Sequence, residues 1–136
     1  MDDTLVTKNK WPSDYPKHLD IPPEAAAGIN DTLHRIVRNQ VPNDSDFLAS
    51  YKDPRQKYLA RNPAIKKKPS YYGTSFFSTK EGIDKVVERS PEKFANDFVA
   101  IGKIEPIHGK GEYSANTDHV TVWFYEGIYP KGFKVI

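Results

Sequence analysis

Tyr71-Tyr72-Gly73-Thr74-Ser75-Phe76-Phe77-Ser78-Thr79-Lys80-Glu81 is the stretch that decides the fold. Rings at Tyr71, Tyr72, Phe76 and Phe77, spaced by small polar residues, predict a strand. Ser78-Thr79-Lys80-Glu81 has the form of a capping box: the Ser78 hydroxyl accepts from the Glu81 N–H while the Glu81 carboxylate reaches back. A helix should follow, with Ile83, Val86 and Val87 on one face. A strand therefore feeds a helix through a Gly/Thr/Ser corner that carries hydroxyls, with two tyrosines beside it.

Downstream, Ser90-Pro91-Glu92 starts a short helical turn, since Pro is favoured at the first helical position. Phe98–Glu105 reads as a strand, and His108–Asn116 as a polar, glycine-containing loop. His119-Val120-Thr121-Val122-Trp123-Phe124-Tyr125 has the highest β-branched and aromatic content of any segment and should be a strand. Its alternation puts Val120, Val122 and Phe124 on one face and His119, Thr121, Trp123 and Tyr125 on the other. Phe133–Ile136 closes the chain as an edge strand.

Upstream, prolines at 12, 16, 22 and 23 make residues 1–23 an extended arm, with Trp11, Tyr15 and Ile21 as its apolar anchors. Residues 24–136 then form one domain. Within it the spacing predicts a short helix over Pro23–Ala27, a turn, and a strand over Thr32–Arg38. Pro42-Asn43-Asp44-Ser45-Asp46 is a helix start with Asp44 as cap and Asp46 in the first turn. From Lys52 to Lys68 seven basic residues face the single acid Asp53, either as a solvated face or as an anion site. The class is α+β: a single compact domain with a mainly antiparallel, twisted sheet, short helices and an extended N-terminal arm.

Composition narrows function without choosing one. The 136 residues carry a net charge of only +2, which excludes a dedicated polyanion-coating protein. Cysteine is absent, so disulfides, thiolate metal sites and Cys nucleophiles are excluded. The acidic start Met1-Asp2-Asp3 is unlike a signal peptide, and no run approaches the length of a membrane span, so the cytoplasm is the expected address, with no membrane partner. The core leans on rings: 8 Tyr, 7 Phe and 2 Trp.

Two patterns point to chemistry. The face His119/Thr121/Trp123/Tyr125 sets an imidazole, a hydroxyl, an indole and a phenol in line. That is either the lining of a cleft for a planar ligand or a sheet face buried under a helix or the arm. His108 and His119, with Lys110 between them, suit metal-independent RNA cleavage by a base, an acid and a cation. His108, Glu112 and His119 lack a zinc-ligand spacing, so no metal is expected. Arg35 and Arg38, if their strand neighbours the Gly73–Ser75 corner, would supply charge for a pyrophosphate beside hydroxyls for a ribose.

The order Leu33–Arg38, Pro42–Leu48, Gly73–Ser78 before a helix, and a late His119–Trp123 strand resembles a family of small, mostly uncharacterised bacterial proteins over residues 32–133. More distantly it is similar to the ADP-ribosyltransferase superfamily. That resemblance implies NAD as the cofactor, with Arg35 (or His34) on its phosphates and Tyr72, Thr74 and Ser75 around the ribose and nicotinamide. Glu126 would be the catalytic acid. In that superfamily the acid commonly stands in a doublet, which Tyr125-Glu126-Gly127 does not offer, and His119 takes the conspicuous position.

The resulting expectation is a toxin-like or defence-associated enzyme acting on a nucleotide or RNA. Its catalytic candidates are His119, Glu126 and His108. Substrate would be held by Arg35, Tyr72, Thr74, Ser75, Thr121, Trp123 and Tyr125. The alternative is a non-catalytic module, immunity- or antitoxin-like, that binds a cognate protein partner.

Overall fold

Residues 10–136 are described by a computed structural model. Six strands form one antiparallel sheet: β1 (Asp31–Val37), β2 (Thr74–Phe77), β3 (Phe98–Ile104), β4 (Gly109–Tyr113), β5 (His119–Phe124) and β6 (Lys134–Val135). Their order is β4-β5-β2-β1-β3-β6. The helices are few and short: one turn at Pro63–Lys66 (α1), the longer Lys80–Arg89 (α2), and 3-10 segments at Asp44–Phe47, Pro54–Arg61 and Pro69–Tyr72. This is the expected α+β domain.

The alternation read from β5 sets the layers. Val120 and Val122 are fully buried and lie opposite Phe76 and Thr74 of β2 in register. With Leu33, Val37, Ala100 and Ile104 they form one continuous apolar face. Connecting segments cover it, contributing Ile29, Phe47 and Phe133. Phe47 stacks on Phe76 at 6.3 Å and meets Phe133 edge-on at 5.1 Å, so rings fill much of this core. α2 packs against β1 and β2, burying Ile83. The chain closes at β6, which pairs with β3 as the expected edge strand.

β1 and β2 are the weak seam of the sheet. They pair at His34↔Phe77, whereas β1 pairs with β3 along its whole length. Beyond that point the Arg35 side chain takes the place of the ladder: its Nη1 donates to the Ser75 carbonyl at 2.7 Å.

Several local expectations are corrected. The capping box is not used at Ser78; Thr79 caps α2, its Oγ1 accepting from the Gly82 N–H at 3.0 Å. Ser78 is drawn away because its N–H donates to the Asp118 carbonyl at 2.8 Å. Tyr71 and Tyr72 belong to the 3-10 turn Pro69–Tyr72 rather than to the strand. Asn43, not Asp44, caps the Asp44–Phe47 turn, with Asp46 completing the reciprocal box. Pro23–Ala27 is no helix: Pro23–Ala26 is a single turn, the Ala26 N–H donating to the Pro23 carbonyl at 2.9 Å, and Ala27 then exchanges both backbone hydrogen bonds with Gly111 of β4. Ser90-Pro91-Glu92 opens a single helical turn, closed by the Phe94 N–H on the Ser90 carbonyl at 3.3 Å, that does not extend into a helix.

The polar loop expected at His108–Asn116 contains β4. Its glycines permit close approach instead of breaking the strand. A Cβ on Gly111 would stand 1.9 Å from Ile29 Cδ1, and one on Gly109 would strike the Trp123 carbonyl.

The arm follows the domain surface from residue 10 onward. Trp11 stacks on Tyr125 at 4.5 Å, and the Glu126 N–H donates to the Lys10 carbonyl at 2.7 Å. Its first nine positions lie outside the described residues. Among the described residues no helix is long and apolar enough to cross a membrane.

Candidate functional site

The residues singled out from the sequence fall into three places. Tyr72, Thr74, Tyr125 and Glu126 line one cleft of about 380 Å³. Arg35 and Ser75 line a separate hollow of about 200 Å³. His119, Thr121 and Trp123 line neither.

The polar-aromatic face of β5 is largely closed. Trp123 is 1% exposed, and its indole N–H donates to the Pro69 carbonyl at 3.0 Å. Thr121 is buried, its methyl against Gly73. Tyr125 is half-buried beneath Trp11. The segment Pro69–Gly73 and the arm are the cover, so those side chains do not form one open row.

His119 retains a chemical arrangement. Its Nε2 lies 3.0 Å from Ser75 Oγ, on the neighbouring strand. Burial holds its pKa below the usual imidazole value, so the ring is neutral at pH 7. A neutral imidazole against a hydroxyl is base–nucleophile geometry, although among the described residues no carboxylate orients the second ring nitrogen. His108 is elsewhere. Its Nδ1 accepts from the Glu105 N–H at 2.9 Å and its carbonyl accepts from the Tyr125 N–H, which fixes it in the turn before β4. Burial lowers its pKa, with Glu105 pulling the other way. Six strand rises separate His119 from Tyr125, so the two imidazoles are on the order of 20 Å apart. No single phosphodiester spans them.

Arg35 is a buried strut. Nε donates to the Asp46 carbonyl at 2.6 Å and Nη1 to the Ser75 carbonyl at 2.7 Å, with the guanidinium 5.6 Å from the Phe76 ring centre. Burial pulls its pKa down to about 10, partly offset by Asp53, so it is still charged at neutral pH. It ties the Asp44–Phe47 turn to β2, and so sets the position of Phe47 in the cleft wall.

The cleft itself is built of rings. Tyr15, Phe47, Tyr51, Tyr72, Tyr125 and Tyr129 line it. Tyr15, Tyr51 and Tyr72 form a connected cluster, with centroids 5.1 to 6.2 Å apart. Burial raises the pKa of all three, with Asp14 adding to the effect at Tyr15 and Tyr51 and Tyr71 at Tyr72; their hydroxyls stay protonated. Tyr51 spends its proton on Asp14 Oδ1 at 2.6 Å and Tyr72 on the Lys66 carbonyl at 2.8 Å. The lining carboxylates are Asp44 and Glu126, and Lys52 is already 3.4 Å from Asp14. The volume falls in the range of small-molecule sites. Its chemistry favours a planar ring, neutral or cationic, over a phosphate.

Sequence reading missed Tyr15, Phe47, Tyr51 and Tyr129 as cleft residues. They come from three separate segments, of which only Phe47 and Tyr51 share a spacing, i and i+4 after the expected helix start. That short apolar face and tyrosine abundance were the available signals. Among the described residues no group of three or more His, Asp or Glu side chains gathers as a metal site. No family model matches the chain, and no curated protein or solved structure matches it.

Proposed function

We propose that this chain is a small nucleotide-acting domain of the toxin or defence type, ADP-ribosyltransferase-like in layout, that holds the base or nicotinamide ring of its ligand in the tyrosine-lined cleft. One observation carries the reading: Tyr72, Thr74, Tyr125 and Glu126, distant in sequence, line a single cleft of about 380 Å³. Rings supply stacking, worth about 1–3 kcal/mol per base. Glu126 is exposed beside the ring site and, with Asp44, is a carboxylate available to a ribose hydroxyl. The phosphates face outward, since Asp44 and Glu126 disfavour them inside. NAD is the ligand proposed first.

The test is a thermal-shift and calorimetric titration with NAD, nicotinamide mononucleotide and adenosine. A ligand at 100 times its dissociation constant stabilises the fold by about 2.7 kcal/mol. Tyr125→Ala should abolish the shift, and Glu126→Gln should relieve growth arrest when the chain is expressed in a bacterial host. No shift with any of the three ligands rejects the reading.

A second reading has its own observation. The cleft already takes Pro12 and Tyr15 of the proline-rich arm in its wall. An aromatic groove that accepts an extended proline segment is also a protein-recognition surface, as an immunity- or antitoxin-like module requires. Harmless expression and a copurifying partner, with no nucleotide response, would favour it.

A further inference from the structure

The second hollow, about 200 Å³, lies between β1, β2, α2 and the Pro54–Arg61 segment. Its polar wall holds Arg35, Arg38, Arg55, Lys93 and Ser75, with Asp53 and Asp97. Each aspartate is satisfied by an arginine. Arg38 takes Asp53 with two parallel bonds of 2.9 and 2.8 Å, and Gln56 adds a third at 2.9 Å. Arg55 Nη1 meets both Asp97 oxygens, at 3.0 and 2.9 Å, and its Nη2 donates to the Lys93 carbonyl.

With those pairs closed, Arg35 and Lys93 remain as surplus positive charge. Arg35 is 9% exposed and spends Nε and Nη1 on neutral carbonyls. Among the described residues its Nη2 makes no hydrogen bond. The carboxylates of Asp53 and Asp46 lie near Arg35 but neither bonds its guanidinium, and Nη2 is not sealed from solvent, so an anion entering the hollow can pair with it. The opposite wall is apolar, formed by Ile36, Phe77, Val86 and Phe94. Charge on one side and hydrocarbon on the other match an organic carboxylate better than a free inorganic ion.

We propose that this hollow binds a small organic carboxylate, its oxygens taken by Arg35 Nη2, Lys93 and the Ser75 hydroxyl and its apolar body laid against Phe77 and Phe94. In the tautomer that carries its proton on Nε2, His119 donates to Ser75 Oγ at 3.0 Å, which leaves the Ser75 O–H free to donate to the carboxylate. This hollow is separate from the tyrosine cleft, although Arg35 reaches the cleft wall through the Asp46 carbonyl, and it requires no nucleotide bound there.

The experiment is an NMR titration of the full chain with benzoate, with benzamide as its neutral analogue and with inorganic phosphate. Benzoate should shift the backbone amides of Arg38, Ser75 and Phe94 saturably and bind at least about tenfold more tightly than benzamide, the worth of one charge-assisted hydrogen bond. Lys93→Ala, at a position outside the core cluster, should weaken benzoate while leaving the cleft's response to NAD or adenosine unaltered, and Ser75→Ala should weaken benzoate as well. Equal binding of benzoate and benzamide, indifference to both variants, or binding of phosphate alone would each overturn the proposal.

Discussion

The indole N–H of Trp123 donates to the carbonyl of Pro69 at 3.0 Å, fastening β5 to a segment 54 residues earlier in the chain. This bond decides how the polar-aromatic face of β5 is used. A tryptophan with its N–H in solvent would have left that face open to a ligand. With the N–H paired and the ring 1% exposed, Trp123 is the anchor of a cover.

Truncating that anchor should be costly. Trp123→Ala removes a fully buried large ring, for which a loss of about 3–5 kcal/mol is ordinary. Trp123→Phe keeps most of the apolar area but orphans the Pro69 carbonyl, costing roughly 1–3 kcal/mol. Urea unfolding measures both. A near-neutral Trp123→Phe would show that the Pro69 segment is not held by this bond.

Arg35→Met tests the strut. The substitution preserves length and hydrocarbon but deprives the Asp46 and Ser75 carbonyls of their donor, at roughly 1–3 kcal/mol for each left unsatisfied. Because Arg35 ties the Asp44–Phe47 turn to β2, the tyrosine cleft should also loosen. Chemical shifts of Phe47 and Tyr129 report this. A variant that unfolds earlier yet leaves both unshifted would separate the strut from the cleft.

How much of this was legible beforehand depends on whether a signal was local. β1, β3 and β5 follow from alternation and β-branched content, and their faces came out as written: Val120 and Val122 in the core, His119 and Thr121 opposite. β4 was invisible because Gly109 and Gly111 read as loop residues. They are glycines because Ile29 and the β5 backbone press against them, a fact of packing and not of propensity. The helix start at Thr79 instead of Ser78 turns on a hydrogen bond from Ser78 to Asp118, 40 residues away. The cleft was half legible. Tyr72, Thr74 and Tyr125 were singled out for their chemistry, while Phe47, Tyr51 and Tyr129 join them through tertiary packing alone.

Gly111→Ala makes the packing claim testable. The new methyl would stand 1.9 Å from Ile29 Cδ1 and 3.1 Å from the Thr121 carbonyl, so Ile29 must yield. Overpacking of this kind costs about 1–3 kcal/mol. Ile29→Val in the same chain removes the offending methyl, and the double variant should recover part of the loss. Additive effects would mean that the clash lies with the β5 backbone instead.

Acid should destabilise the fold in two steps. Asp46 is raised by burial but more than compensated by hydrogen bonds from Arg38, Asn39 and Asn43, so its folded pKa is below the ordinary value. Asp53 behaves likewise, burial opposing the bonds from Arg38, Gln56 and Arg55. As pH falls through about 4, the unfolded chain binds protons that the folded one refuses, and stability drops until the folded carboxyls also protonate. His119 and His108 add an earlier step. Burial lowers both, so below about pH 6.5 the unfolded imidazoles charge first and stability again declines. Urea midpoints at pH 8, 5 and 3 should therefore fall at each stage. His119→Gln should flatten the interval from 8 to 5. Asp53→Asn should begin lower, because it breaks a half-buried ion pair with Arg38, yet lose less between 5 and 3. An Asp53→Asn chain with the wild-type slope at low pH would place the acid sensitivity on other carboxylates.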